Sequence, residues 1–180
     1  MRIAVSGTHG VGKSTLIDEF LSMQPEFTHE PEPYTVLVED FGEEFSDEPN
    51  MEDFRRQLDF NIDRLRQHAP GEKVIYERCP VDFLAYVDAL EPGSVEALLG
   101  PVAKAMQNLD LIVYLPLDKD QTLESEYPKL QKAVDRRLSK ILLDDELGII
   151  STPVVEAKGS TAQRLRVVET SLMNLKHATR

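Results

Sequence analysis

Cationic side chains are scarce: 20 Lys and Arg face 32 Asp and Glu, a formal net charge of −12 over 180 residues. A polyanion would meet net repulsion, so general binding to nucleic acid is not expected. The single cysteine, Cys79, cannot close an internal disulfide, and the four histidines form no zinc-ligand spacing with it. No apolar run approaches the ~18 residues of a membrane span. The opening Met1-Arg2-Ile3-Ala4-Val5-Ser6 lacks the apolar core of a secretory signal. These absences lead to the expectation of one cytoplasmic domain that touches neither membrane nor nucleic acid. A homodimer is compatible with the sequence. At this length a chain buries roughly 70% of its unfolded surface, enough for a full core.

Short apolar runs alternate with amphipathic stretches. The runs at Ile3–Val5, Phe27–Glu30, Lys73–Glu77, Asp110–Leu115 and around Pro153–Glu156 read as five strands. Apart from Phe27–Glu30, their central residues are apolar without alternation, the pattern of a parallel sheet covered on both faces. Helices are predicted over Lys13–Met23, Met51–His68, Pro80–Leu90, Ser94–Asn108, Pro128–Leu147 and Ser160–Lys176. The alternation implies right-handed βαβ units in a three-layer α/β fold, residues 1–180 forming a single domain. Pro31 and Pro33 stop the second strand, because proline cannot donate to a ladder. Residues 39–53 carry eight carboxylates and no Lys or Arg, and read as a surface excursion. A solvated loop is one account of it, closure over a substrate another.

The decisive motif is Gly7-Thr8-His9-Gly10-Val11-Gly12-Lys13-Ser14, which matches G-x-x-x-x-G-K-S/T in full between a predicted strand and a predicted helix. Three glycines permit a tight loop whose successive N–H groups converge on phosphate oxygens. The following helix adds its positive dipole end. Lys13 can reach the β- and γ-phosphates, and the Ser14 hydroxyl can ligate Mg²⁺. A purine nucleoside triphosphate is the expected ligand.

No strand ends in the aspartate of a motor or GTPase, since the strand at Leu111 runs into Pro116. Glu77, closing the strand KVIYE, is the better magnesium carboxylate, with Arg78 beside it for the transferring phosphoryl group. The second strand ends Thr28-His29-Glu30-Pro31-Glu32-Pro33. Either Glu30 or Glu32 could take the proton of an attacking hydroxyl. On the helix from Met51, Phe54, Leu58, Ile62 and Leu65 form one stripe, while Gln57, Phe60, Asn61 and Arg64 form a second face.

With these residues in place the chain resembles the P-loop small-molecule kinases. The likeness is to the deoxynucleoside kinases and the ribosylnicotinamide-kinase-like proteins often filed as AAA-type ATPases. It is carried by GTHGVGKST, the Glu-Pro step, FRRQLDFNIDRLR, VIYERCPVDFLAYVDAL, QKAVDRRLSK and GSTAQRL. It implies a P-loop NTPase fold with a five-stranded parallel sheet and a helical lid at about 118–140. ATP and Mg²⁺ are the implied cofactors, and the implied loop contacts run from Gly7 to Thr15. Glu30 or Glu32 would be the base, Glu77 would assist the metal, and Arg78 with Arg136 or Arg137 would act on phosphate. Gln57, Arg64 and Asp82, with Phe60 for stacking, would hold the acceptor, and Gly159 and Ser160 would lie by the adenine. Cys79-Pro80, where a serine is common after Glu-Arg, brings the chain nearer the ribosylnicotinamide-kinase-like branch.

The resulting expectation is a kinase that moves the γ-phosphoryl group of ATP to a hydroxyl of a nucleoside-like metabolite. Two alternatives stand beside it: a nucleotide-binding regulatory or partner-binding module, and a nucleoside monophosphate kinase. The second would need further arginines for another phosphate.

Overall fold

The strand residues divide their side chains between two apolar layers, and that division sets the architecture. The computed structural model describes residues 1–118, 120, 122–123 and 125–178. Its elements run β1 (Arg2–Ser6), α1 (Lys13–Met23), β2 (Thr28–Glu30), α2 (Pro33–Glu39), α3 (Met51–Gln67), β3 (Val74–Glu77), α4 (Pro80–Leu90), α5 (Glu96–Met106), β4 (Leu111–Tyr114), α6 (Pro128–Asp144), β5 (Val154–Glu156) and α7 (Thr161–Ala178). The five strands form one parallel sheet in the order β2-β3-β1-β4-β5.

Successive strand side chains point to opposite faces. Ile3, Val5, Ile75, Leu111 and Val113 therefore join Leu16, Ile17 and Phe20 of α1 and Val168 and Leu172 of α7 in one core. Ala4, Tyr76, Ile112 and Tyr114 join Leu58, Ile62 and Leu65 of α3, most of α4, and Val134, Leu138 and Ile141 of α6 in the other. Both faces of the sheet are covered, which is why the middles of its central strands, Ile3–Val5, Val74–Tyr76 and Leu111–Tyr114, are apolar at successive positions. The helix α4 lies between α3 and α6 and is buried from Pro80 to Asp88 on all sides. A hydrophobic segment with no polar face is the sequence sign of such a position.

The predicted strands and helices all form, with ends displaced by a few residues. One helix was not expected. Pro33 does not only end β2; it starts α2, with Glu32 as N-cap. Proline suits the first helical position, where its missing N–H would have had no partner and its φ is already helical. Residues 40–50 follow without regular structure, and Asn50 caps α3 by accepting the Asp53 N–H at 3.0 Å. The acidic excursion is tied down by Arg56. Its guanidinium bonds Glu43, the Glu44 carbonyl and Asp53, and lies 4.3 Å from the Phe45 ring centroid.

Candidate active site

The loop from Gly7 to Gly12 links the carboxyl end of β1 to α1. Gly7 has no room for a side chain: a Cβ there would sit 2.6 Å from the Leu115 carbonyl oxygen. Gly10 and Gly12 have φ of 76° and 89°, a left-handed region that costs glycine little. Lys13 is buried and donates to the Thr8 carbonyl at 3.0 Å. Burial, and then the Arg78 cation, lower its pKa from 10.5 to about 8, against the pull of Glu32, Glu77 and Asp82. Ser14 donates to Glu77 Oε1 at 2.9 Å, so β3 brings its terminal carboxylate to the first turn of α1. A hydroxyl and a carboxylate in contact are hard oxygen donors that suit Mg²⁺, which holds few protein ligands when it also binds phosphate. Among the described residues no group of three or more His, Cys, Asp or Glu could hold a metal without such help.

Next to the loop lies a cleft of ≈ 660 Å³. Its walls include His9 of the loop, Glu32, Phe54 and Gln57 of α3, Arg78, Phe83 and Tyr86 of α4, and Leu130 and Gln131 of α6. Phe45 to Asn50 of the acidic excursion close one side, so this segment lines a cavity as well as meeting solvent. Tyr127, ahead of α6, donates to the Asp47 carbonyl across the opening at 3.1 Å.

The two glutamates of the Glu-Pro step part company. Glu30 is gripped by Nε and Nη2 of Arg64 and meets His68 Nε2 at 2.8 Å. Glu32 turns the other way, lines the cleft and pairs with Arg78. Burial pushes the Glu32 carboxyl up, but Arg78 and Lys13 outweigh it and hold its pKa at about 2. Burial likewise opposes the charge on Arg78, and Glu32 more than restores it. Arg78 has φ 75°, in the left-handed region that few side chains adopt. That turn drives its guanidinium back over the loop, where Nη1 donates to the Gly7 carbonyl at 3.0 Å. Strain of this kind persists only where the surroundings hold it.

Several expected residues lie elsewhere. Arg64 does not line the cleft: its third nitrogen donates to the Pro31 carbonyl at 2.7 Å, and its charge is spent on Glu30. Phe60 packs edge-on against Phe41 and beside Arg64, away from the cleft. Asp82 is fully buried and accepts from the Gly7 and Cys79 N–H groups, each at 2.9 Å, so it joins α4 to the phosphate loop. Arg137 pairs with Asp88 of α4 and with Glu146 and does not line the cleft. Arg136 is exposed on α6. Gln131 holds α6 to the loop by donating to the His9 carbonyl at 2.7 Å. Of the expected lid, residues 119, 121 and 124 lie outside the described residues. Gly159 and Ser160 form the turn into α7, where the Ser160 N–H donates to Gln163. Burial raises the Cys79 thiol well above its usual range, which removes it as a nucleophile.

Sequence reasoning missed Phe54 and Tyr86, whose rings stack at 4.4 Å and line the cleft. Phe54 lies on the apolar stripe of α3 and Tyr86 inside an all-apolar helix, so each carries the signature of a core residue. The hydroxyl of Tyr86 is the informative atom, since it accepts the His9 N–H at 3.3 Å.

The sequence profile of the AAA domain family matches residues 2–164. The chain belongs to this family. No curated protein matches the AAA-domain chain by sequence. Its fold is that of several solved structures. A crystal structure of NadR in complex with NR superposes with a TM-score of 0.65 at 18% identity, covering 94% of this chain and 50% of that one. The deoxyadenosine kinase of M. mycoides with bound dATP gives 0.64 at 14% identity, over 96% and 99%. NadR with NAD and AMP-PNP gives 0.63 at 19%, over 94% and 48%. The AAA-domain chain thus spans about half the length of NadR and nearly all of the deoxyadenosine kinase. At these identities the likeness is one of fold.

Proposed function

We propose that the protein is an ATP-dependent phosphotransferase acting on a hydroxyl of a small nucleoside-like metabolite. The observation that carries this reading is a second, aromatic cleft opening beside the phosphate loop, with Glu32 and Arg78 at the junction. A nucleotide-dependent partner switch has no use for such a space. NadR in complex with NR and a deoxyadenosine kinase share the fold, which agrees with a nucleoside-like acceptor.

The loop amides and Lys13 would hold the triphosphate, and Ser14 with Glu77 would hold the magnesium ion. That ion would supply charge neutralisation on the phosphate oxygens. In the cleft, the stacked Phe54 and Tyr86 offer a flat apolar wall for a ring, and Gln57 offers an amide. Glu32 would orient the acceptor hydroxyl and receive its proton. A carboxylate with so low a pKa is a weak base while Arg78 holds it. When Arg78 turns to the transferring phosphoryl group, Glu32 loses that partner and gains basicity.

The lining charge argues against a nucleoside monophosphate as acceptor. Arg78 is the one Lys or Arg among the described residues that line the cleft, against Glu32, Asp47, Glu48, Asp53 and Glu126. A second phosphate would meet carboxylates there. ADP release measured over nucleosides, nicotinamide riboside and nucleoside monophosphates tests the proposal. Acceptor-stimulated release with a nucleoside and none with monophosphates is the expected pattern. Release that no acceptor stimulates overturns it in favour of the switch.

A further inference from the structure

Arg164, in the first turn of α7, is 3% exposed and donates from Nη1 to the Val11 carbonyl at 2.6 Å. Its Nε and Nη2 are also buried, and neither has a hydrogen-bond partner among the described residues. Burial lowers its hold on its proton, and Asp118 is the carboxylate that acts in the other direction. No ion pair among the described residues neutralises it. Burying a cation without a partner costs free energy, and a neutral donor would satisfy the Val11 carbonyl equally well. The free protein therefore carries a charge that its own fold does not use.

The position of that charge supplies the use. The Val11 carbonyl and the Gly12 N–H belong to one peptide group. A loop of this type turns its N–H groups inward to phosphate and its carbonyls outward. Arg164 approaches from the outer side so closely that a Cβ on Gly12 would lie 3.2 Å from Nη1. A cation on the oxygen of a peptide polarises the N–H at its other end and strengthens that donor. We infer that Arg164 is a positioning residue for the triphosphate, acting through the Val11–Gly12 peptide and balanced by the bound phosphate charge. The inference rests on the loop being the nucleotide site proposed above.

Two variants separate charge from scaffolding. Arg164→Gln keeps a donor for the Val11 carbonyl and removes the charge, while Arg164→Lys keeps the charge and loses the fork. Calorimetric titration with ADP, inorganic tripolyphosphate and adenosine should show Arg164→Gln weakened about tenfold or more for both phosphates. Adenosine binding and the acceptor KM should not move, and the KM for ATP should rise with kcat little changed. Arg164→Lys should fall between Arg164→Gln and the parent, and its advantage over Arg164→Gln should shrink with added salt. The melting temperature of ligand-free Arg164→Gln should equal or exceed that of the parent. Parent-like affinity of Arg164→Gln for tripolyphosphate overturns the inference, as does equal weakening of phosphates, adenosine and acceptor. If the unsubstituted protein binds neither ADP nor tripolyphosphate, the nucleotide reading itself falls, and this inference with it.

Discussion

The Arg64 guanidinium clasps Glu30 with two nitrogens and the Pro31 carbonyl with the third. One side chain of α3 thereby fixes the turn that aims Glu32 at the phosphate loop. Glu30 and Glu32 are chemically alike and two residues apart, yet only Glu32 reaches the cleft. Glu32→Gln should lower kcat by about 10² or more, and because it leaves the buried Arg78 without its carboxylate it should lower the melting temperature as well. Glu30→Gln should leave turnover near that of the parent and lower the melting temperature. Steady-state rates of the two variants decide between them, since thermal stability should fall in both.

Arg64→Met removes one partner from a buried ion pair and should cost about 3 kcal/mol of stability or more, read from denaturant unfolding. In the fraction that remains folded, kcat should drop while the KM for ATP stays constant, because the loop is untouched and Glu32 is no longer held.

Lys13 makes nucleotide binding sensitive to pH. Its pKa in the free fold is about 8, and a bound triphosphate favours the charged amine. Above pH 8 the free protein has lost a proton that the complex needs. Binding should then take up a proton, and affinity should fall by up to about tenfold per pH unit until the pKa of the complex is reached. Below pH 8 this dependence should vanish. For folding alone the sign is opposite: the unfolded chain keeps its proton up to 10.5, so this group's contribution to stability rises between pH 8 and 10.5. Titrations in buffers of different ionisation enthalpy measure the proton uptake, and Lys13→Ala should abolish both binding and its pH dependence.

Glu77→Gln keeps a partner for the Ser14 hydroxyl but removes the charge. The magnesium concentration for half-maximal rate should rise several-fold, with ADP affinity in the absence of metal unchanged. A magnesium titration of the initial rate checks this, and an unchanged midpoint removes Glu77 from the metal's surroundings.

Gly7→Ala should be among the more damaging small substitutions. Its methyl would meet the Leu115 carbonyl at 2.6 Å and the Val11 side chain at 2.9 Å. Displacing backbone in a packed site costs about 1–3 kcal/mol. The loss should appear in thermal unfolding even without nucleotide.

The sheet and its phosphate loop were legible because both leave local signatures: unbroken apolar runs and a glycine spacing tied to one conformation. The acceptor side was legible only in part. Periodicity on α3 distinguishes two faces but not what each meets. Gln57 reaches the cleft, whereas Arg64, two turns along the same face, is taken by Glu30. Phe54 and Tyr86 were hidden because an aromatic wall and an aromatic core have the same sequence pattern. Arg137 shows the same limit, since its partner Asp88 lies 49 residues away on another helix. Such pairings follow from packing, which no local pattern encodes.

His9 belongs to the phosphate loop and also borders the aromatic cleft, so a path from one to the other would pass along His9. A dinucleoside oligophosphate long enough to lie along it would surrender its translational freedom once and collect the contacts of both ends. The chain should therefore bind such a tethered compound far more tightly than either half. The spacer length of the tightest-binding member would act as a ruler for the gap that the phosphoryl group has to cross.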